Sequence, residues 1–92
     1  MNGSEVKFGR IARTLVYEDA NGQLMFTFDI VELGDKQTGK KSKLCIDDGA
    51  LIEKDGRHVV LRDSEYERER ERIAKAIERV KQFLISCGYI VV

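Results

Sequence analysis

Apolar and polar residues alternate in two consecutive stretches near the start of the chain, at residues 10–18 and 23–33. A period of two places successive side chains on opposite faces of a strand, so both stretches predict β-strands. Asn21-Gly22 lies between them, and these residue types tolerate the positive φ angles of a type I′ turn. The pattern therefore predicts an antiparallel hairpin.

A tight turn at Asn21-Gly22 sets the register of this hairpin. It places Tyr17 opposite Phe26, and Leu15 opposite Phe28. We expect one face to cover the core, and it carries Ile11, Leu15, Tyr17, Phe26, Phe28 and Ile30. The other face is mixed and is expected to be wet, with Ala12, Thr14, Val16, Met25, Thr27, Asp29 and Val31.

Three shorter strands are predicted in the middle of the chain, at residues 42–46, 51–53 and 57–61. Asp55-Gly56 separates the last two and is a second hairpin signal, weaker than the first because its arms are short. The residues Asp47-Asp48-Gly49 are typical of a turn. This segment is expected to continue the sheet as an antiparallel meander.

The hydrophobic period then changes to that of a helix. Ser64 and Glu67 have the spacing of a capping box, and the apolar residues that follow recur on one side of a helix. Gly88 suits a left-handed C-cap. We predict a helix from about residue 65 to 87, followed by a short closing strand. Tyr66 is the only apolar residue in the charged run 65–72, which predicts that the helix start projects past the sheet.

Together these elements predict an α+β fold in a single small domain, residues 1–92. We expect a mainly antiparallel sheet of about five or six strands, with one long C-terminal helix packed on one face and a short closing strand.

Charge and hydropathy exclude some partners. The 16 Lys and Arg residues balance the 16 Asp and Glu residues, so no overall field attracts the chain to nucleic acid or an anionic membrane. The apolar runs, such as the final Tyr-Ile-Val-Val, are far shorter than the roughly 20 residues that span a bilayer. The first ten residues lack an apolar stretch of signal-peptide length. We therefore expect a cytoplasmic protein without membrane contact.

Residues suited to catalysis or metal binding are few. His58 is the single histidine and lies in a predicted strand, where it is expected to be structural or exposed. Cys45 and Cys87 are interpreted as small buried hydrophobes. Asp47 and Asp48 lack further ligands at a metal-binding spacing. We expect no enzymatic activity, no metal and no cofactor.

The segment Gly-Asp-Lys-Gln-Thr-Gly-Lys-Lys-Ser, residues 34–42, has the Gly and Lys spacing of a nucleotide-binding P-loop. Lys41 stands where that motif requires Ser or Thr. A P-loop also needs a helix after the loop, because the helix start supplies converging N–H groups, and here a strand is predicted instead. We therefore expect a solvated hairpin loop that binds no nucleotide.

Lysines are nevertheless concentrated in this loop, at Lys36, Lys40, Lys41 and Lys43. The leading hypothesis is a small interaction or regulatory module that binds another protein, or a second copy of itself, through its surface. The lysines and Tyr66 are its candidate contact residues. The alternative is a nucleic-acid-binding module that uses the basic loop Lys36–Lys43. No aromatic residue is interleaved with the lysines, which disfavours base stacking.

Overall fold

The computed structural model describes residues 3–92, apart from the side chain of Lys54. The predicted α+β class is confirmed. The elements in chain order are β1 (Glu5–Phe8), β2 (Thr14–Asp19), β3 (Gly22–Glu32), β4 (Lys43–Ile46), β5 (Leu51–Lys54), β6 (Arg57–Val60), α1 (Asp63–Arg68), α2 (Arg70–Ser86) and β7 (Ile90–Val91). None of the helices in the described residues is long and apolar enough to cross a membrane.

The long strand β3 organises the sheet. One edge of β3 pairs with β2, and the other pairs with β4 and then with β5, so the main strand order is β1-β2-β3-β4-β7. The strand β6 lies outside β5. Only β7, paired with β4, is parallel among the described strand pairs. The prediction of a mainly antiparallel sheet is therefore confirmed.

The core lies between the inner face of the sheet and α2. Contacts from α2 reach both β1 and β7, which stand at opposite ends of the strand order, so the sheet curls around the helix. Each large apolar side chain buried here contributes roughly 1.5–3 kcal/mol relative to an exposed one. The helix residues that contact the sheet follow the helical period: Ile73, Ala76, Val80 and Leu84.

The predicted register of the first hairpin is wrong, although its inner face is largely right. Leu15 lies opposite Phe26 and Tyr17 opposite Leu24, because the turn is at Ala20-Asn21. The Asp19 carboxylate accepts a hydrogen bond from the Asn21 N–H at 2.8 Å, which favours a turn one residue earlier than predicted. Each partner changes by two positions, so the alternation of faces is preserved.

The hairpin predicted at Asp55-Gly56 is confirmed. Asp55 has φ 54° and Gly56 has φ 77°, and a type I′ turn requires positive φ at both positions. Lys54 and Arg57 pair directly across this turn.

The predicted faces of the sheet are wrong at several positions, and Ile30, expected on the core face, is 38% exposed. Arg13, at φ 60°, interrupts the extended backbone just before β2 begins. Ile11 therefore lies outside the strand and is 55% exposed. On the outer face, Thr14 and Val16 are buried rather than wet. The chain at Gly9 covers them, since a Cβ placed there would lie 2.2 Å from the Thr14 hydroxyl.

The predicted capping box is also wrong, because α1 begins at Asp63 and Ser64 lies inside it. The carboxylate of Glu65, not that of Glu67, accepts the backbone N–H of the N-cap residue, Arg62, at 3.3 Å. The buried Leu61 anchors the chain just before this point, so tertiary packing sets where the helix begins. The predicted single helix is divided at Glu69 into α1 and α2.

The predicted C-cap at Gly88 is confirmed. Gly88 has φ 97° and its N–H bonds to the Ile85 carbonyl at 3.0 Å. The next N–H, of Tyr89, bonds to the Leu84 carbonyl at 3.1 Å. This pair of bonds is a Schellman motif, and it directs the chain into β7.

Candidate functional site

The predicted basic loop forms the end of the β3–β4 hairpin, and we call residues 33–43 the lysine hairpin. The Asp35 N–H bonds to the Lys40 carbonyl at 2.8 Å, so the ladder continues past both strand ends and leaves a turn at residues 36–39. The Asp35 carboxylate accepts the Gln37 N–H at 2.9 Å within that turn. A strand follows the loop, as the sequence predicted.

Gly34, the first glycine of the P-loop-like spacing, is explained by close packing of the backbone. A Cβ at this position would lie 2.4 Å from the Lys40 carbonyl oxygen. The Gly34 N–H donates a hydrogen bond to the Ser42 hydroxyl at 2.8 Å. This glycine therefore allows the two arms of the hairpin to approach each other.

Glu32 neutralises part of the lysine hairpin. Its carboxylate contacts the ammonium groups of Lys40 and, at 3.2 Å, Lys43. The hydrogen bond from Lys40 is the main cause that lowers the pKa of Glu32, followed by the one from Lys43. Lys36 and Lys41 are exposed and have no ion pair with the described residues. The four lysines outnumber Asp35 and Glu32, so this region keeps a net positive charge, and Lys36 and Lys41 are its lysines without an ion pair to the described residues.

Exposed apolar side chains adjoin this charge on the outer face of the sheet. Ile90 lies directly beside Lys43, and the parallel register continues to place Val92 beside Cys45. Val31 follows Ile30, which pairs with the inward-facing Leu44, so the alternation of the strand directs Val31 toward the same outer face. Val31, Ile90 and Val92 are 58%, 40% and 62% exposed. We call Val31, Cys45, Ile90 and Val92 the outer apolar patch.

The structure separates Tyr66 from the lysines, and the prediction that Tyr66 projects past the sheet is wrong. Its ring packs against the core and its hydroxyl donates to the Asp48 carbonyl at 3.3 Å. Asp48 follows the end of β4, whereas the lysine hairpin leads into its start at Lys43. The candidate contact residues therefore lie near opposite ends of β4.

The cysteines, Asp47 and His58 all lie in exposed positions. Cys45 and Cys87 are both exposed, so the prediction that they are buried is wrong. The Asp47 carboxylate accepts the Gly49 N–H at 2.9 Å, as expected for a turn. His58 is exposed on β6 opposite Glu53, beside an open cavity of about 360 Å³. In the described part of the chain, no three His, Cys, Asp or Glu residues form a metal-binding group.

An ion pair that the sequence did not predict lies between the β2–β3 turn and α2. Arg72 donates two hydrogen bonds to the Asp19 carboxylate, from Nη2 to Oδ1 at 2.8 Å and from Nε to Oδ2 at 2.9 Å. Arg72 also donates to the Gly22 carbonyl at 2.8 Å. This hydrogen bonding lowers the pKa of Asp19. Within the helix Arg72 also contacts the Glu69 carboxylate, at 3.5 Å.

The lysine hairpin, together with the outer apolar patch, is the strongest candidate for a functional surface. The side chains of the Asp19–Arg72 pair are largely removed from solvent and bind each other, whereas the side chains of the patch remain exposed. No known protein family, characterised protein or solved structure gives a significant match to this chain.

Proposed function

We propose that this protein is a small interaction module that binds another protein through the lysine hairpin and the outer apolar patch. The observation that carries the proposal is the exposure of Val31, Ile90 and Val92 around Lys43. Protein interfaces have a desolvated apolar centre and a polar rim. An exposed apolar patch with such a rim marks an interaction site.

The charge of the rim defines the partner that fits. Lys36 and Lys41 are exposed in the lysine hairpin, while the single negative charge of Glu32 offsets part of the charge of Lys40 and Lys43. A partner with an apolar centre and acidic side chains at its edge is complementary to this arrangement. Opposite charges at the rim speed association and set orientation more than they add affinity.

Nucleic-acid binding by the basic loop Lys36–Lys43 is the second candidate, favoured by the exposure of Lys36 and Lys41. Two features make it weaker. Glu32 engages the other two lysines of the loop, so fewer cations are left to replace the counterions of phosphate groups. Residues 33–43 also contain no aromatic side chain on which a base stacks.

The test is affinity capture from a native extract with matched variants of the purified protein. One variant changes the patch (Ile90→Asp with Val92→Asp) and another the charge (Lys36→Glu with Lys41→Glu). A control of equal charge change, Arg68→Glu with Lys75→Glu, lies on exposed positions of the helices. A protein retained by the wild type and the control but lost by both site variants supports the proposal. A partner retained equally by all four chains contradicts it.

Fluorescence anisotropy with generic DNA and RNA separates the two candidates. Binding at low salt that weakens as salt is raised, and that the Lys36→Glu with Lys41→Glu variant loses, supports the nucleic-acid alternative. Absence of binding at low salt removes it.

A further inference from the structure

The strand β6 is an edge strand with an open side. Among the described strands it pairs only with β5, and all of its residues are exposed. Val59 is 37% exposed and Val60 is 65% exposed, although β-branched residues usually occupy packed positions in a sheet. This surface is separate from the lysine hairpin.

The register of the β5–β6 hairpin identifies the backbone groups on the open side. Paired residues across the type I′ turn alternate between hydrogen-bonded and non-bonded pairs. The Leu61 N–H bonds to the Ala50 carbonyl at 3.2 Å, so Val59, two residues earlier, also faces β5. His58 and Val60 therefore direct both their N–H and their C=O groups away from β5.

β6 has fewer of the features that protect the other edges of the sheet, since its only charged residue is Arg57, at its first position. β1 carries Glu5 and Lys7 and lies against α2, where the rings of Phe8 and Phe83 are 5.2 Å apart. β7 has only 2 residues. Charged side chains, coverage and short length are the usual means of preventing edge pairing. The stretch His58–Val60 has no Asp, Glu, Lys, Arg or Pro, and no bulge interrupts its pairing with β5.

We infer that β6 pairs antiparallel with β6 of a second copy of this chain, about a two-fold axis at Val59. In this register His58 of one copy faces Val60 of the other, and the two Val59 residues face each other. Each His58–Val60 pair exchanges both of its N–H to C=O hydrogen bonds. Every outward backbone group of His58 and Val60 is then satisfied.

Neighbouring registers do not achieve this. An axis at Val60 sets His58 against Arg62, whose N–H is bound by the Glu65 carboxylate and whose carbonyl accepts the Tyr66 N–H at 2.8 Å. An axis at His58 sets Val60 against Gly56, which belongs to the turn. Only the axis at Val59 uses the outward groups of both residues.

The pairing has a consequence for the whole molecule. Because a two-fold axis relates the two copies, the dimer carries the outer apolar patch twice. The contact is short, and small interfaces of this kind are weak and concentration-dependent. The dimer would bind a repetitive partner with two sites at once, which raises the overall affinity without new contacts.

Sedimentation equilibrium over about two orders of magnitude of protein concentration tests the pairing. We expect the wild type to associate with increasing concentration. Val60→Pro removes an outward N–H that β5 does not use, and proline is tolerated on an edge strand with that side open. We expect this variant to stay monomeric and folded, while Val60→Thr, which keeps the N–H and the β-branch, associates as the wild type does.

A strictly monomeric wild type overturns the inference and leaves the β6 edge to a strand from another protein. Equal association of the Val60→Pro variant and the wild type overturns it as well, because the contact would then lie elsewhere. These measurements use the purified chain alone, so they are independent of the proposed partner.

Cysteine cross-linking tests the register. In a Cys45→Ser, Cys87→Ser background, Val59→Cys sets two cysteines in a non-hydrogen-bonded pair, with Cα atoms about 4.5 Å apart, which suits a disulfide. Val60→Cys is the matched control, because its two copies stand about 8 Å apart, beyond disulfide range. Oxidised dimer from Val59→Cys at many times the yield of Val60→Cys supports the axis. The reverse order of yields overturns it.

Discussion

Two ion-pair clusters of this protein join similar groups but differ in reach and burial. The Asp19–Arg72 pair connects residues that are 53 positions apart, and its side chains are 16% and 15% exposed. The Glu32–Lys40–Lys43 cluster connects residues of one hairpin, and its side chains are 38–51% exposed. The first links a strand turn to the helix, whereas the second adjusts the charge of a surface.

The difference shows how the surroundings determine the contribution of an ion pair. Solvent screens exposed pairs, which contribute little to stability. Removing one member of a pair that is held mostly out of water lowers stability more, because the other member is left poorly solvated. We therefore expect substitutions in the first cluster to affect stability, and substitutions in the second to affect binding.

The largest effect is expected from Arg72→Met, which keeps much of the side-chain volume but leaves the Asp19 carboxylate without its guanidinium. We expect the free energy of unfolding at pH 7 to fall by about 2 kcal/mol, less than for a fully buried pair. Urea unfolding measures it. In the Asp19→Asn background the same change should cost clearly less. Equal costs in both backgrounds would show that the two residues are not coupled.

Gly34→Ala is expected to have the next largest effect, because the added Cβ meets the backbone carbonyl of Lys40 at 2.4 Å. We expect a loss of about 1–2 kcal/mol, together with faster hydrogen exchange of the Asp35 amide. Gly49→Ala is the control, since its Cβ would meet only the Asp47 side chain, at 3.2 Å. Equal behaviour of the two variants would mean that close approach does not shape the hairpin.

Asp19→Asn is expected to cost about 1 kcal/mol at pH 7 and to change the response to acid. The pKa of Asp19 is lowered in the folded chain, so the unfolded chain takes up the proton first as the pH falls. This contribution is complete above the unfolded pKa of about 3.9 and is lost as the pH falls through the folded value. The stability difference between wild type and variant should therefore narrow below about pH 4. A difference that is constant with pH would refute this role.

Glu32→Gln is expected to have the smallest effect on stability, with a urea midpoint close to that of the wild type, because the cluster is exposed. The change leaves 16 basic and 15 acidic residues and so raises the net charge from 0 to +1. It also releases Lys40 and Lys43. Nucleic acid should then bind more tightly at low salt if the alternative function is correct. A loss of stability as large as that of Arg72→Met would abolish the contrast between the clusters.

The candidate site was partly predictable from the sequence. The lysines of the hairpin and the strand after them follow from local residue types and from periodicity. Their partial neutralisation was not predicted, because it depends on the register that places Glu32 opposite Lys43. The outer apolar patch required the parallel docking of β7 beside β4, which no local pattern specifies. Tyr66 was misplaced because a projecting residue and a packed one have the same helical spacing.

The sequence by itself determined the types of the elements after β1, which it did not predict, together with the Asp55-Gly56 hairpin and the C-cap at Gly88. Each of these depends on contacts between residues a few positions apart. The tertiary structure alone decided that Arg72 binds Asp19 and that β7 lies beside β4. These outcomes depend on how the curled sheet and α2 pack together, and residues far apart in the chain meet only once that packing has formed.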